Sequence, residues 1–249
     1  MSHEIHDNDP QQSNDSEYAI EVSLYSAESI QVLTSMEAIQ KRPAMYVGDL
    51  TRKGLHRLCL STIHECATFM HELHLHRLEV TLHDDFALTI RVPGLCLPLE
   101  ESEHELDMSH FESMMSMLYA GVDARWEFAK DNDLFLLGWC VTNALSERFE
   151  AMTCWQERVE KIVYERGERL SRWRFDSLEG APETVLYFRP DSELFSDVQL
   201  KAARFVDELQ QLSKTLPGSI FCLRDECSRE QMMYLFESGW VSRRPLLDL

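Results

Sequence analysis

Apolar positions within residues 54–73 recur in steps of three and four, at Leu55, Leu58, Cys59, Ile63, Cys66, Met70 and Leu73. That spacing predicts a helix of about five turns with one buried stripe. The period then changes to two. Leu78, Val80 and Leu82, followed by Phe86, Leu88, Ile90 and Val92, alternate with other residues around Asp84 and Asp85, which predicts two antiparallel strands and a tight turn. Residues 107–119 and 134–147 read as further helices, with the charged stretch 121–133 between them as a lid or loop. Short β-rich runs follow at 149–155, 159–164, 170–175 and 183–188. Helical spacing returns over 198–213 through Ala202, Phe205, Val206, Leu209 and Leu212, and 218–223 with 231–236 reads as a closing hairpin.

Helices and strands therefore mix without strict βαβ alternation. The expected class is α+β, with helices packed on one face of a mostly antiparallel mixed sheet. No internal repeat and no Gly-, Pro- or Ser-rich linker interrupts the pattern, so residues 18–249 are expected to form one domain. Residues 1–17 are polar, acidic and aperiodic, and are expected to be a disordered leader.

The formal charge of −19, from 24 basic and 43 acidic residues, argues against unaided binding of nucleic acid over a broad surface. No run approaches the roughly 18 consecutive apolar residues of a membrane helix, and no signal-peptide hydrophobic region is visible, so a cytoplasmic location without a membrane partner is expected. Seven cysteines without a CxxC pair suit reduced, buried thiols. The run HELHLH at 71–76 gathers three histidines across a helix end and a strand entry, a placement that suits a solvated connection better than a metal site. Met114, Met115 and Met117 read as core packing of their helix.

Three segments, KRPAMYVGD (41–49), GLHRL (54–58) and TNALSERFE (142–150), resemble the ATP-binding domain of the gyrase B and topoisomerase IV B subunits, of the GHKL family. Weaker echoes are LYAG (118–121), ETVLYFRPD (183–191) and the ending from Ser219 to Gly239. The resemblance implies a Bergerat-like fold, bound ATP and Mg²⁺, and dimers in which an N-terminal arm reaches the neighbour's nucleotide. On that basis residues 18–34 are the expected exchange arm, with Tyr25 at the place of the family's reaching tyrosine, and a homodimer is expected. No transducer, metal-dependent cleavage module or DNA gate is expected in this chain.

The same resemblance implies that the chemistry has been lost. Ser61 and Glu65 stand where the family has its water-activating glutamate and its magnesium-binding asparagine. They keep the spacing of one helix face, but a serine hydroxyl does not take a proton from water as a positioned carboxylate does. Glu65 offers a hard oxygen ligand to Mg²⁺ but adds negative charge beside a triphosphate, and reads as a solvated or salt-bridged glutamate. His64 reads as a surface or satisfied histidine. Val92 replaces the adenine-binding aspartate, removing an acceptor whose loss is worth about 1–3 kcal/mol. The glycine-rich phosphate loop reads NDLFLLG at 132–138, with Leu136 where bare backbone is needed and Gly138 retained. Gly94 and Thr184 match a turn glycine and an adenine-side threonine, and both also suit ordinary turn and strand roles.

The expected function is thus that of a catalytically inactive homologue with no catalytic residue, no metal and no cofactor. It would act by protein binding as a regulator, decoy or immunity-type partner, with a gyrase or topoisomerase IV subunit as first candidate. The alternative is an ATP-binding or weakly hydrolysing switch with a rebuilt Mg²⁺ and ATP site around Glu65. A third reading is an apolar-ligand pocket lined by Val92, Leu95, Leu136 and Leu137.

Overall fold

The computed structural model describes residues 32–101, 108–118, 125–176, 181–228 and 231–246. The leader, Tyr25 and most of the expected arm lie outside them. The helices are α1 (Ser35–Lys41), α2 (Ala44–Val47), α3 (Arg52–Glu72), α4 (His110–Ser116), α5 (Arg125–Asp131), α6 (Trp139–Ala144) and α7 (Ala202–Thr215). The strands are β1 (Arg77–Leu82), β2 (Leu88–Pro93), β3 (Ser146–Trp155), β4 (Arg158–Glu165), β5 (Glu168–Phe175), β6 (Glu183–Pro190), β7 (Ile220–Asp225), β8 (Met232–Glu237) and β9 (Trp240–Pro245). They form one sheet in the order β5-β4-β3-β6-β2-β1-β7-β8-β9. Every pairing is antiparallel except β1 with β7, which run parallel from Arg77↔Ile220 to Leu82↔Asp225.

One sheet face carries the core and the other faces water. Leu78, Val80 and Leu82 of β1, Leu88, Ile90 and Val92 of β2, and Leu186 and Phe188 of β6 are buried, as period-two alternation requires. Their neighbours on the opposite face pair across strands, Arg91 with Glu183 and Lys161 with Glu150. The central helix α3 lies over β1 and β2, while α7 covers β7 to β9 and α6 covers β3 and β6. This is the α+β, GHKL-like arrangement expected, with helices gathered on one face of a mixed sheet.

Several boundaries differ from the sequence pattern. Residues 134–137 are not helical, and α6 is only Trp139–Ala144, because the loop's backbone N–H groups turn to side chains on α3. Ser146 and Glu147 open β3 rather than close a helix, with Ser146 Oγ donating to Thr142 O at 2.6 Å. Part of the expected lid is the short helix α5, whose Phe128 stacks on His71 at 3.8 Å between ring centroids. Helix α7 starts at Ala202, and residues 198–201 are not helical. The closing hairpin gains a third strand, β9, through a turn in which Ser238 and Gly239 both have positive φ.

Polar contacts tie the elements together, those of Thr142 and Asn143 coming from a segment that carries the family resemblance. Gln40 donates from Nε2 to Ala144 O at 3.3 Å and to Arg166 O at 2.6 Å, joining α1 to the end of α6 and the β4–β5 turn. Thr142 and Thr62 share a buried hydrogen bond of 2.8 Å between α6 and α3. Asn143 donates to Met115 O at 2.9 Å, tying α6 to α4. A buried carboxylate, Glu160, receives Ser109 Oγ at 2.8 Å, Arg172 Nη2 at 2.9 Å and Arg174 Nε at 2.6 Å. Ser109 is also the N-cap of α4, accepting from Glu112 N. Glu112 pairs in turn with Arg169 and Arg172.

Candidate functional site

Helix α3 starts at a built turn. Asp49 Oδ1 accepts from Thr51 N at 2.9 Å and from Gly54 N at 3.1 Å, and Thr51 caps the helix by accepting from Lys53 N at 3.2 Å. These bonds satisfy donors that a helix start leaves open. The hydrogen bonds from Thr51 hold the Asp49 carboxyl below its usual value. Leu55, Leu58, Cys59, Ile63, Cys66 and Met70 bury the helix stripe, which turns Ser61, His64 and Glu65 toward the loop before α6.

That loop is fastened to α3 by side-chain acceptors. Phe135 N donates to His64 Nδ1 at 3.0 Å, Leu137 N to Ser61 Oγ at 2.7 Å, and Gly138 N to Glu65 Oε1 at 2.5 Å. Because Nδ1 of His64 accepts, its Nε2 carries the proton and donates to Glu208 Oε1 at 2.9 Å. That hydrogen bond is the largest influence holding Glu208 below the usual glutamate value. Gly138 has φ +94, a conformation that L side chains rarely adopt, and it caps α6 without a side-chain partner of its own. Negative charge also suits the first turn of a helix. The Cys140 thiol just beyond is pushed up to about 12, chiefly by burial and further by Glu65.

Glu65 therefore turns its carboxylate to the loop rather than out to solvent, and His64 is a buried histidine with both ring nitrogens bonded. The structure brings Ser61, Glu65 and Gly138 together, with Leu136 half-buried between the bonded residues. Spacing on α3 pointed to Ser61 and Glu65, but nothing in the sequence marked His64 as the third member.

Val92, Gly94 and Thr184 form a second group. Val92 is register partner to Thr184 across β2 and β6. Leu97 N donates to Thr153 Oγ1 at 3.1 Å, Thr153 bonds Thr184 Oγ1 at 2.7 Å, and Thr184 donates to Leu95 O at 2.9 Å. Val92 and Thr184 are each 1% exposed and Leu95 is fully buried. The chain's own threonines and loop backbone thus fill this end. Gly94, at φ +84, donates its N–H to Pro182 O at 2.7 Å.

Beside His64 and Phe135, a groove of about 830 Å³ opens between α3 and α7. His56 lines it, accepting from Lys201 N at 3.2 Å and standing edge-on to Phe205. Burial, then Arg204, Arg52 and Lys201, lower its pKa against a weaker opposing effect of Asp197. A histidine lowered in the folded state contributes stability above the imidazole's ordinary pKa, and that stability is lost as pH falls through the lower folded value. Thermal midpoints are therefore expected to drop between about pH 7 and pH 5, from the unfolded imidazole value downward. The drop should be smaller in His56→Gln, whose amide oxygen can still accept from Lys201 N. Parallel curves for the two proteins would disprove the assignment.

Among the described residues no group of His, Cys, Asp and Glu is placed to hold a metal ion, and no helix is long and apolar enough to cross a membrane. All seven cysteines are free. The helix-over-sheet layout and the loop at the head of α6 define a GHKL-like domain.

Comparison with known proteins agrees. Over 225 residues the chain is 31% identical to the DNA gyrase B protein of Archaeoglobus fulgidus, a match covering 87% of this chain and 35% of that protein. The DNA gyrase B protein of Thermotoga maritima is 28% identical over 222 residues, covering 87% and 34%. The DNA topoisomerase 4 B protein of Mycoplasma capricolum is 28% identical over 220 residues, covering 87% and 34%. These similarities link the chain at family level to the gyrase and topoisomerase IV B subunits, and it spans about a third of their length. No protein-family model matches it.

Proposed function

We propose that this chain is a catalytically inactive relative of the gyrase-B ATPase unit that works by binding another protein. The observation that carries the reading is the occupied loop: His64, Ser61 and Glu65 take the N–H groups of Phe135, Leu137 and Gly138. A phosphate oxygen seeking those donors must displace a carboxylate from a charge-assisted hydrogen bond worth about 1.5–3 kcal/mol. It would also meet that carboxylate's charge, a repulsion of about 4 kcal/mol for unit charges 4 Å apart near a protein surface. Ser61 supplies no general base, and Thr184 is spent on Leu95 and Thr153.

The retained scaffold and the acidic surface support a protein partner, and a gyrase or topoisomerase IV subunit is the first candidate because the relatives carry those names. Homodimerisation, or a mixed dimer through the segment around Tyr25, follows from the same reasoning.

Homogeneous protein incubated with Mg·ATP is expected to release no phosphate above buffer, and adenosine is expected not to bind at millimolar concentration. Phosphate release that disappears in Glu65→Ala would instead establish an ATPase switch with a rebuilt site. For the partner, a mixture with a gyrase B ATPase fragment is expected to co-elute on gel filtration. Independent elution removes the mixed dimer.

A further inference from the structure

The groove between α3 and α7 gathers Arg52, Lys53, Arg57, Lys201 and Arg204 on a protein with nearly twice as many acidic as basic residues. The carboxylates beside them are Asp133, Asp207 and Glu208. Arg52 is held by Asp197, and Glu208 is engaged by His64. Arg57 stacks over the Phe135 ring, 3.7 Å from its centroid, which leaves its guanidinium edge available. Among the described residues no carboxylate comes within ion-pair distance of Lys53, Arg57, Lys201 or Arg204.

These cations also sit where helix electrostatics disfavours them. Arg52 and Lys53 open α3, Lys201 is the cap residue of α7, and Arg204 lies in its first turn. Neither helix has an acidic residue in its first turn, and Lys201 makes no side-chain cap. The positive end of a helix favours anions and is destabilised by cations. Two helix starts that collect basic residues and converge on one cavity break a local rule, and among the described residues only Arg52 has a carboxylate in ion-pair range, a pattern that ligand sites show.

We propose that this groove, which adjoins the occupied loop at His64 and Phe135 but draws its cations from the starts of α3 and α7, is a binding site for a phosphate-bearing anion. Four cations without an ion-pair partner among the described residues face the carboxylates of Asp133, Asp207 and Glu208, an excess of one positive charge, with the donors of the guanidinium and ammonium groups open to a phosphate monoester or a short polyphosphate. Guanidinium groups suit the phosphate oxygens by paired hydrogen bonds, and the cavity has the size of a small-molecule site. The site reads phosphate and not base, so it stands whether or not the loop binds nucleotide.

The test is calorimetric titration of the full chain with inorganic phosphate and with sodium tripolyphosphate, without Mg²⁺, in about 50 mM salt where screening is weak. Both probes are expected to bind, tripolyphosphate more tightly. Lys53→Glu/Arg204→Glu should weaken binding at least about tenfold. Arg91→Glu/Arg224→Glu, which changes net charge equally at residues outside the groove, should leave it within about twofold. Thermal midpoints confirm that each variant is folded, and the groove variant should not melt earlier, since it places acidic residues at helix starts. Silence of the wild type at millimolar tripolyphosphate overturns the proposal, as does equal loss in both variants. Tighter binding of a polyglutamate peptide than of tripolyphosphate also overturns it, in favour of an acidic protein segment. Binding that survives in the groove variant and vanishes in a Ser61 or Glu65 variant would place the anion in the loop instead.

Discussion

Replacing Glu160 with glutamine is expected to lower the free energy of unfolding by about 3–5 kcal/mol, the usual consequence of removing one member of a buried ionic cluster. Glu160 is fully buried and accepts from Ser109, Arg172 and Arg174. A glutamine amide keeps the shape, but it removes the negative charge and turns two donors toward groups that also donate. Arg172, mostly buried and shared with Glu112, then keeps its charge with one carboxylate fewer. The single amide oxygen that remains cannot serve both Ser109 and the two arginines, so either the start of α4 or the β4–β5 hairpin should loosen. Arg174 is 58% exposed, and Arg174→Ala should cost about 1 kcal/mol or less. Urea denaturation of the two variants checks the contrast. A Glu160→Gln midpoint close to wild type would mean that water reaches the cluster.

The second large effect is expected at Gly54. A helix interior ordinarily prefers alanine over glycine by about 1 kcal/mol, so Gly54→Ala would stabilise α3 if space allowed. It does not: a Cβ there would lie 1.8 Å from Asp49 O and 2.8 Å from Asp49 C. Relief requires moving the backbone whose side chain organises the turn, since Asp49 Oδ1 holds Thr51 N and Gly54 N. The clash should exceed the propensity gain and destabilise the protein by about 3 kcal/mol or more, at the upper end of overpacking effects. The urea midpoint of Gly54→Ala should fall well below that of wild type. A midpoint at or above wild type would show that the Asp49 turn yields without penalty.

Gly54 also accounts for part of the family resemblance. The motifs KRPAMYVGD and GLHRL contain Asp49 and Gly54, and TNALSERFE contains Thr142 and Asn143, which bond to Thr62 and Met115. Those contacts build the turn before α3 and join α6 to α3 and α4. Retention of these segments is therefore what a scaffold requires, independent of any chemistry in the loop.

Period-two and period-three-to-four patterns placed eight of the nine strands and the stripe of α3, because burial on one side of a regular element repeats with that element's geometry. The elements that escaped were short or locally contradictory. The two-turn α5 carries too few apolar residues to show a period. In β9 every residue is exposed, so it has no buried face to alternate. At 134–137 three leucines and a phenylalanine imitate a helix, yet the chain is drawn out because its N–H groups bond to α3.

The amino-acid sequence alone determined the α+β class and the helix-over-sheet core. These are local matters of residue type and periodicity. Only the tertiary structure decided that Glu65 meets Gly138, that His64 joins Phe135 to Glu208, and that cations from α3 and α7 share one groove. The hydrogen-bonded pairs are 71, 73 and 144 residues apart in sequence, and no repeating pattern encodes such distant partners; they meet because the sheet and its helices bring them into hydrogen-bond and Coulomb range.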